Sequence, residues 1–364
     1  MLLFISPYLP CYVTSAIIAA AGLFILLNKK FRSIAFAKKN VIFVWLFFIY
    51  SLVLAVINLN FIGVACSLGF LFIFSIFLFL KNTITKEVYE NGLNACMFAG
   101  FIVSILTVFD FLINVNLNPT LKIYRATLYF FNSNYLATIM SLTVIICAYK
   151  ELMRKKVGIF EYIIAAFCMV AVYLTGSMFA WIEILIGISM LLLLTKKHQM
   201  LSILFLMGAT AFIVLYCVPE IFPRLHEANI TTENRVVIWR TSIEEIKKNP
   251  FFGKGFLTYY LIYKNYSGAY PTTHAHNIIL EPLLSFGIIG TVLLAIMVFS
   301  YIKKVWICKN YQNSSKISSL ILSVLTAAFV HSTTDLTLLW MQTGLLFMLI
   351  LSGSGYEERI LKLK

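Results

Sequence analysis

The chain consists of long apolar runs separated by mostly short polar connections. A helix needs about 20 apolar residues to cross the hydrocarbon core of a bilayer. The runs are continuous rather than alternating, which favours membrane-spanning helices over a β-barrel. We therefore predict eleven spans, at approximately 9–28, 41–59, 61–80, 93–113, 134–149, 158–175, 178–195, 200–218, 283–302, 317–335 and 337–352.

The composition agrees with this pattern. Of the 364 residues, 61% are apolar and 12% are charged, whereas a soluble domain carries about 25% charged residues. A soluble core of this composition would leave too little polar surface to face water. We predict an all-α integral membrane protein, built as a single polytopic domain over residues 1–364 with about 11 transmembrane helices.

Positive charge is distributed unevenly among the predicted connections. The chain has 29 basic residues, and 20 of them lie in one set of alternate connections. Basic residues concentrate on the cytoplasmic side of membrane proteins, so this set is predicted to be cytoplasmic, with the N-terminus outside and the C-terminus inside. The excess charge is then mostly a topology signal, and binding to nucleic acid has no support.

Neither the first apolar run nor the cysteines indicate secretion or metal chemistry. The first run lacks a basic start and is followed by Lys29 and Lys30, so it is predicted to be a retained span rather than a signal peptide. The seven cysteines lie in or beside spans without a CxxC pair. We expect them to pack as small apolar residues, without a disulfide or a metal cluster.

Two outer segments are longer than the other outer connections, namely 114–133 and 219–276. A long loop on a rigid scaffold commonly carries function. The larger segment holds seven of the remaining nine basic residues and three of the five histidines. It is therefore the predicted location of the active site.

The large loop is predicted to contain one helix, from Arg235 to Lys248. Asn234 can cap its start, and Asn249-Pro250 ends it. Its apolar stripe could face the outer membrane surface or pack on the other spans. The stripe consists of Val236, Trp239, Ile243 and Ile246.

The sharpest local feature is the pair His274 and His276, near the end of this loop. A histidine with a pKa near 6.5 can take a proton from a hydroxyl group at neutral pH. A zinc site would need a third ligand, and Glu281 is the only nearby carboxylate in the sequence, so we expect no metal. The alternative is a structural pair that forms hydrogen bonds where the next helix begins.

Asp110, Glu183 and Asp335 are acidic residues inside predicted spans. Each is costly in lipid unless it is paired or lines a polar cavity. Glu183 could line a cavity under the loop. Asp335 follows His331 at i+4, so these two side chains are predicted to pair on one helix face.

Within and after the loop, several short motifs occur in a fixed order. They are Arg235-x-x-x-Trp239, Asn249-Pro250-Phe-Phe-Gly253-x-Gly255, His274-Ala-His276-Asn277-Ile-Ile-Leu280-Glu281 and Gly287-Ile-Ile-Gly290, with weaker support from Arg125 and Asn134 and from His331 and Asp335. This series resembles the O-antigen ligase and polymerase superfamily, and the resemblance implies a GT-C-like membrane glycosyltransferase.

The sequence departs from the family pattern in two places. Members commonly carry an arginine at a short outer hairpin, where this chain has Met178 after Ser177. Members also often have 12 spans, against the eleven predicted here. The first departure would remove one cationic contact to a lipid-linked diphosphate.

The resemblance implies polymerisation of undecaprenyl-diphosphate-linked repeat units for O-antigen, capsule or a related surface polysaccharide. In this interpretation His276 is the general base and His274 is its support or substitute. Because the chain has only two aspartates and no DxD-like pair, we expect a metal-independent reaction without a cofactor. The substrate-binding residues would be Arg235, Arg240, Arg125, Trp239, Asn277, Glu281 and Glu183.

Two other functions remain as alternatives. One is an O-antigen ligase that transfers finished polymer to the lipid A core, and the other is a flippase or transporter of lipid-linked sugars, which would favour pseudo-symmetric halves without a dominant loop. The expected partners are the lipid-linked glycan donor and acceptor, the bilayer, a chain-length regulator and a flippase. The expected location is the cytoplasmic membrane, with an extracytoplasmic active site.

Overall fold

The computed structural model describes residues 1–37, 41–117, 124–154, 158–222, 228–311 and 316–362. His226 and parts of both long segments lie outside these ranges. Within them the regular structure is entirely helical. The helices are α1 Leu2–Ile5, α2 Cys11–Leu27, α3 Lys29–Ala35, α4 Ile42–Ile57, α5 Phe61–Thr83, α6 Lys86–Leu117, α7 Ser133–Met153, α8 Ile159–Thr175, α9 Met178–Leu194, α10 His198–Cys217, α11 Ala228–Lys248, α12 Thr258–Ile262, α13 Leu280–Tyr311, α14 Lys316–His331, α15 Met341–Ser352 and α16 Ser354–Lys362.

Every predicted span overlaps one of these helices, but not all of the helices are long enough to cross a membrane. Five qualify by length and hydropathy, namely α5, α6, α7, α10 and α13, and the pair α2 and α3 makes a sixth only if a 98° bend is allowed. Four further apolar helices are shorter, namely α4, α8, α9 and α14. The all-helical fold is therefore confirmed for the described residues, and its apolar helices are consistent with a membrane protein. The count of eleven spans and the GT-C-like architecture stay predictions.

The centre of the protein is α7, whose side chains are mostly buried. It packs against α8 and α9, and α9 in turn lies along α14. Polar side chains in this core bond to their own helix, as Ser141 and Thr143 donate to the carbonyl oxygens of Ala137 and Ile139. Such bonds allow a polar group to be buried in an apolar bundle. At the periphery, α10 contributes no buried residue.

The connections meet at two opposite ends of the bundle. At one end, Asn60, between α4 and α5, donates to the carbonyl oxygens of Lys254 and Phe256 in the large loop. At the other end, Lys81 forms an ion pair with Glu358 of α16 at 2.6 Å. The first end, which we call the loop end, also holds the α8–α9 hairpin and the turn between α14 and α15.

A break in α13 fixes the large loop to the bundle. Gly287 has φ 63° and ψ −171°, and residues 250–255 run beside it. The amide groups of Gly255 and Ile288 donate to the carbonyl oxygens of Ser285 and Pro250, each at 2.9 Å. Backbone hydrogen bonds therefore join the motif that contains Gly253 and Gly255 to the motif that begins at Gly287.

Substitution of Gly287 by alanine is expected to destabilise the protein by about 1–3 kcal/mol or more. A Cβ atom there would lie 2.3 Å from the Phe251 backbone, on a residue with positive φ. Thermal unfolding of the purified protein in detergent measures the effect. Gly208→Ala is the matched control, because its Cβ would meet only Leu185 at 3.7 Å. Equal melting temperatures for the two variants would contradict the role of this break.

Candidate functional site

The site is organised around Asp335, a buried residue at the loop end. Helix α14 ends at His331, and the chain then turns so that Asp335 faces the end of the large loop. Its Oδ1 accepts hydrogen bonds from His276 Nδ1 at 2.9 Å and from His274 Nε2 at 3.3 Å. The nearby carboxylate is thus Asp335, 59 residues after His276, and not Glu281 as the sequence suggested.

The backbone between the two histidines is held by the Glu281 side chain. Its Oε2 accepts the Ala275 N–H at 2.7 Å, and its Oε1 accepts the Ser285 hydroxyl at 2.8 Å. His276 has φ 49°, an uncommon backbone conformation for a residue other than glycine. This turn brings both imidazole rings to the same side, where they stack with centroids 4.1 Å apart.

The two histidines differ in their access to solvent. The side chain of His274 is 5% exposed, and that of His276 is 19% exposed. With Nδ1–H donated to Asp335, the Nε2 of His276 is left as an acceptor, and it lies 2.9 Å from the Thr272 hydroxyl. His276 is therefore the one of the pair that can offer a basic nitrogen to a substrate.

His274 is electrostatically coupled to its carboxylate neighbours. Burial lowers the pKa of His274, but the hydrogen bond and charge of Asp335, together with the charge of Glu281, outweigh burial and raise the pKa above its usual value. The pair therefore favours a proton on the His274 ring. His274 is suited to hold Asp335 in place rather than to act as an accessible base.

Asp335 is also held from the opposite side, through Asn134 and Arg125. Asn134 Nδ2 donates to Asp335 Oδ2, and Arg125 Nη2 donates to Asn134 Oδ1 at 2.8 Å. Arg125 Nε donates to the Thr175 carbonyl in the α8–α9 hairpin. Arg125 thus contacts protein groups on two sides of its guanidinium, behind the carboxylate rather than in front of it.

His331 pairs with Glu183, so the expected pairing of its side chain with Asp335 is wrong. His331 Nδ1 and Glu183 Oε2 are 2.7 Å apart, and both side chains are buried. The i+4 relation would need the helix to continue, but α14 ends at His331. The Glu183 carboxylate is therefore buried against the His331 ring.

The loop helix is longer than predicted and buries a different face. It starts at Ala228 rather than Arg235, and its end at Lys248 is confirmed. Within the expected stripe, Val236 and Ile243 are exposed. The buried positions are Ile238, Thr241, Ser242 and Glu245.

Polar groups on this buried face of α11 have hydrogen-bond or ion-pair partners on α11 itself or in the rest of the loop. The Ser242 hydroxyl bonds to the Ile238 carbonyl, and Glu245 pairs with Lys254 at 2.7 Å and accepts from Tyr266 at 2.8 Å. Burial raises the pKa of Glu245, but these two partners lower it to a net value below the usual one. The face can therefore be buried although it is not apolar.

The predicted loop residues occupy three different environments. Arg235 lines a small pocket with Asp335 and lies over the Phe179 ring at 5.4 Å. Arg240 is exposed and does not line this pocket. Trp239 packs into a small hydrophobic cluster of the loop, and Asn277 caps α13 through the amide groups of Ile279 and Leu280.

The pocket beside Asp335 lies between α9, α11 and the end of α14. Burial lowers the pKa of Arg235, and the charge of Asp335 opposes this shift. An arginine remains charged at neutral pH all the same. The pocket is lined by Asn134, Gly176, Ser177, Met178, Phe179, Thr231, Arg235, His331 and Asp335.

Three of these groups could also act together as metal ligands. His274, His276 and Asp335 each offer one ligand atom, all within 4.8 Å of one another, and zinc accepts such a nitrogen and oxygen set. In the structure Asp335 Oδ1 instead accepts hydrogen bonds directly from His276 Nδ1 and His274 Nε2. A metal-independent reaction stays a prediction.

A much larger cleft of about 680 Å³ starts near the site. Ile278 and Leu338 line it close to the histidines, and Lys81 and Lys304 line it near the opposite end. Between them the walls come mainly from apolar and aromatic side chains of α5, α13, α14 and α15. These walls include Phe70, Phe74, Phe77, Leu294, Met297, Leu325, Phe329 and Phe347.

Comparison with known proteins supports the resemblance noted from the motifs. The O-antigen ligase family model matches residues 163–295, a segment that includes the loop histidines and Arg235 but not Asn134, His331 or Asp335. No curated protein matches the chain. The resemblance to the O-antigen ligase and polymerase superfamily is confirmed, and the apolar helices agree with an integral membrane protein.

Proposed function

We propose that this protein is a membrane glycosyltransferase that polymerises lipid-linked oligosaccharide repeat units, because residues 163–295 match the O-antigen ligase family model. The donor is attached to undecaprenyl diphosphate, and the reaction takes place at the loop end. The observation that carries the proposal is the Asp335–His276 pair: Asp335 accepts a hydrogen bond from His276 Nδ1 and also lines the pocket that contains Arg235. A base and a cation are what displacement of a diphosphate by a hydroxyl requires.

The reaction follows from the orientation of His276. An acceptor hydroxyl takes the place of the Thr272 hydroxyl at His276 Nε2 and gives up its proton there. The hydroxyl oxygen forms a bond to the anomeric carbon of the donor sugar, while the bond from that carbon to the diphosphate oxygen breaks. Asp335 stabilises the imidazolium that results, and the diphosphate leaves with its negative charge near Arg235.

The remaining predicted residues have supporting roles in this proposal. Asp335 is held by His274 and Asn134, and Arg125 holds Asn134 in turn. The backbone of the histidine segment is fixed by Glu281 and Asn277. These are positioning residues rather than direct contacts to substrate. Trp239 stabilises the loop, and Arg240 is available only to a part of the substrate that extends outside the pocket.

Reconstitution in proteoliposomes tests the proposed function. Purified protein supplied with lipid-linked repeat units is expected to give a ladder of products that differ by one repeat, with or without a chelator. Transfer of finished polymer to lipid A core, without a ladder, would instead establish the ligase alternative. A folded protein that catalyses neither transfer, but moves lipid-linked sugar across the bilayer, would overturn the proposal in favour of a flippase.

The apolar cleft provides a place for the lipid of the donor. Ile278, two residues after His276, lines it, and most of its other lining residues belong to α5, α13, α14 and α15. A polyprenyl chain bound there would lie in an apolar surrounding while its diphosphate reaches the loop end. In this proposal the cleft is the binding site for the lipid part of a membrane-embedded donor.

Leu325→Trp is expected to narrow this cleft and raise the KM for an undecaprenyl-linked donor about tenfold or more. The larger side chain would compete with the lipid chain, and each buried CH₂ group contributes about 0.8 kcal/mol. A donor with a short prenyl chain should be affected much less, since it does not reach as far along α14. Leu206→Trp, on the exposed surface of α10, is the matched control. Equal KM changes for long and short donors would argue against this location of the chain.

A further inference from the structure

Three aromatic side chains meet where α7 begins, and none of them lines the pocket or the cleft described above. The rings of Tyr135 and Trp340 stack with their centroids 4.9 Å apart and their planes at 13°. Phe131 lies against Trp340, with centroids 5.9 Å apart and planes at 69°. Phe131 is 76% exposed, and the other two residues are partly exposed. We call these three residues the aromatic platform.

The platform is attached to the two segments that hold the catalytic carboxylate. Asn134 donates to Asp335, and Tyr135 follows Asn134 on α7. On the other side of this contact, Trp340 follows Asp335 by five residues, at the end of the turn. The Trp340 ring is also fixed by its own hydrogen bond, since its Nε1 donates to Gln342 Oε1 at 2.9 Å. A ligand on the platform is therefore held at a fixed position relative to Asp335.

The backbone at Phe131 adopts an unfavourable conformation. Phe131 has φ 59°, and the Asn132 amide group donates to the Phe130 carbonyl oxygen at 2.7 Å. A three-residue turn with positive φ at its centre is rare and strained, and a bulky residue seldom adopts it. Backbone strain of this kind occurs mainly at functional sites. Because glycine would fit the turn without strain, the presence of phenylalanine indicates a use for its ring.

The position of Phe131 favours a water-soluble ligand over lipid. Helix α7 is enclosed by its neighbours, since every residue from 136 to 147 is buried. Phe131 precedes this central helix at the loop end, so its exposed ring lies at the end of the bundle. The aromatic belts of membrane proteins lie instead on the rim, where rings meet lipid headgroups. Exposed apolar surface away from lipid commonly marks a binding site.

We propose that the aromatic platform binds a pyranose ring of the glycan substrate. One face of such a ring presents mainly C–H groups, which are apolar and weakly positive, and the face of an aromatic ring is negative. Phe131 provides the aromatic face, and the stack of Tyr135 on Trp340 fixes its position. The inference rests on the proposed function, since this glycan is the one that the enzyme extends. The platform selects which sugar residue reaches His276.

Binding of a glycan without its lipid tests the platform separately from catalysis. The probe is the oligosaccharide released by mild acid from the lipid-linked repeat units of cells that make this protein, and undecaprenyl diphosphate is the sugar-free comparison. Both are titrated against the full chain in nanodiscs. Phe131→Gly is expected to weaken the affinity for the oligosaccharide about three- to tenfold, the contribution of one stacked ring. It should leave the affinity for undecaprenyl diphosphate unchanged, and Phe131→Trp should retain oligosaccharide binding.

A matched glycine variant separates binding from structural support. Leu59 is also an exposed apolar residue with positive φ at the loop end, at 74% exposure and φ 52°. Leu59→Gly should bind the oligosaccharide like the wild type. The melting temperatures of Phe131→Gly and Leu59→Gly in detergent should change by similar small amounts, because both substitutions relieve strain and neither removes a buried side chain.

Single-turnover transfer assays assign the bound ring to one of the two glycans. A higher KM for the acceptor alone places the acceptor sugar on the platform, and a higher KM for the donor alone places the donor sugar there. Wild-type affinity for the oligosaccharide in Phe131→Gly, or an equal loss for both probes, would overturn the inference and leave the platform as an aromatic belt. If Phe131→Gly weakens glycan binding but the wild type forms no ladder, the platform stands and the proposed polymerase function fails.

Discussion

His276→Ala is expected to lower the rate of glycan transfer by a factor of about 10²–10⁴, the range that a positioned general base typically contributes. The loss should appear in kcat and in kcat/KM together, because the proton is transferred only as the new bond forms. The donor should still bind, since Arg235 and the apolar cleft are unchanged. Polysaccharide ladders in cells and single-turnover transfer in proteoliposomes both measure this effect.

Two further variants separate the chemistry of His276 from damage to the fold. His274→Gln removes a buried partner of Asp335 and should reduce the rate less than His276→Ala, while His198→Gln should not reduce it. The melting temperature of each variant in detergent shows whether the protein is folded. Wild-type ladder lengths in cells that contain normal amounts of His276→Ala would refute the assignment of the base.

The parts of the site that sequence could identify are those within one short segment. The histidine pair, Glu281 and Asn277 lie within eight residues, so a motif brings them together without knowledge of the fold. Asp335 is different, because its contact to His276 joins the large loop to the turn after α14. The hydropathy pattern predicts a helix that continues to Asp335, and the i+4 spacing on that helix predicts a pair with His331. The signal available in the sequence was that one of only two aspartates lies near the end of a span.

The helix of the large loop shows why apolar periodicity failed there. The stripe of Val236 and Ile243 obeys helical spacing, yet both side chains are exposed. The face with Arg235, Ile238, Ser242 and Glu245 is turned inward, because its polar groups find partners in the loop and in the site. An apolar stripe predicts burial inside the protein only where the unburied side chains would face water. Beside a membrane, apolar side chains that are not covered by protein can face lipid instead.

The number of spans could not be decided for a related reason. Hydropathy located every apolar helix, but α4, α8, α9 and α14 have only 16 or 17 residues. A helix of 17 residues is about 25 Å long, somewhat less than the hydrocarbon core of about 30 Å. Three of these short helices end near the site, where turns replace helix and bring polar groups into the bundle. A length criterion therefore counts fewer spans than a hydropathy pattern does.

Asp335→Asn is expected to reduce the transfer rate by about 10³–10⁴, a loss comparable to removal of the carboxylate that orients a catalytic histidine elsewhere. The two carboxylate oxygens accept from His274, His276 and Asn134. An amide has only one oxygen, so at least one of these donors would face an NH₂ group. The His276 ring would lose both its orientation and the charge that stabilises its protonated form. Asp110→Asn, at the other aspartate of the chain, is the comparison variant, because Asp110 accepts from Tyr124, Asn114 and the Leu128 amide group rather than from the histidines or Asn134.

The stability of Asp335→Asn should depend on pH in a direction set by His274. The folded-state pKa of His274 is raised by Asp335 and Glu281, so protonated His274 stabilises the folded wild type. This contribution is fully present below the ordinary histidine pKa of about 6.5 and is lost as the pH rises through the raised value. The melting temperature of the wild type should therefore exceed that of Asp335→Asn most at about pH 5.5 and by less at about pH 8.5. A difference that grows with pH would show that Asp335 does not stabilise a charged His274, and the carboxylate would then act on His276 alone.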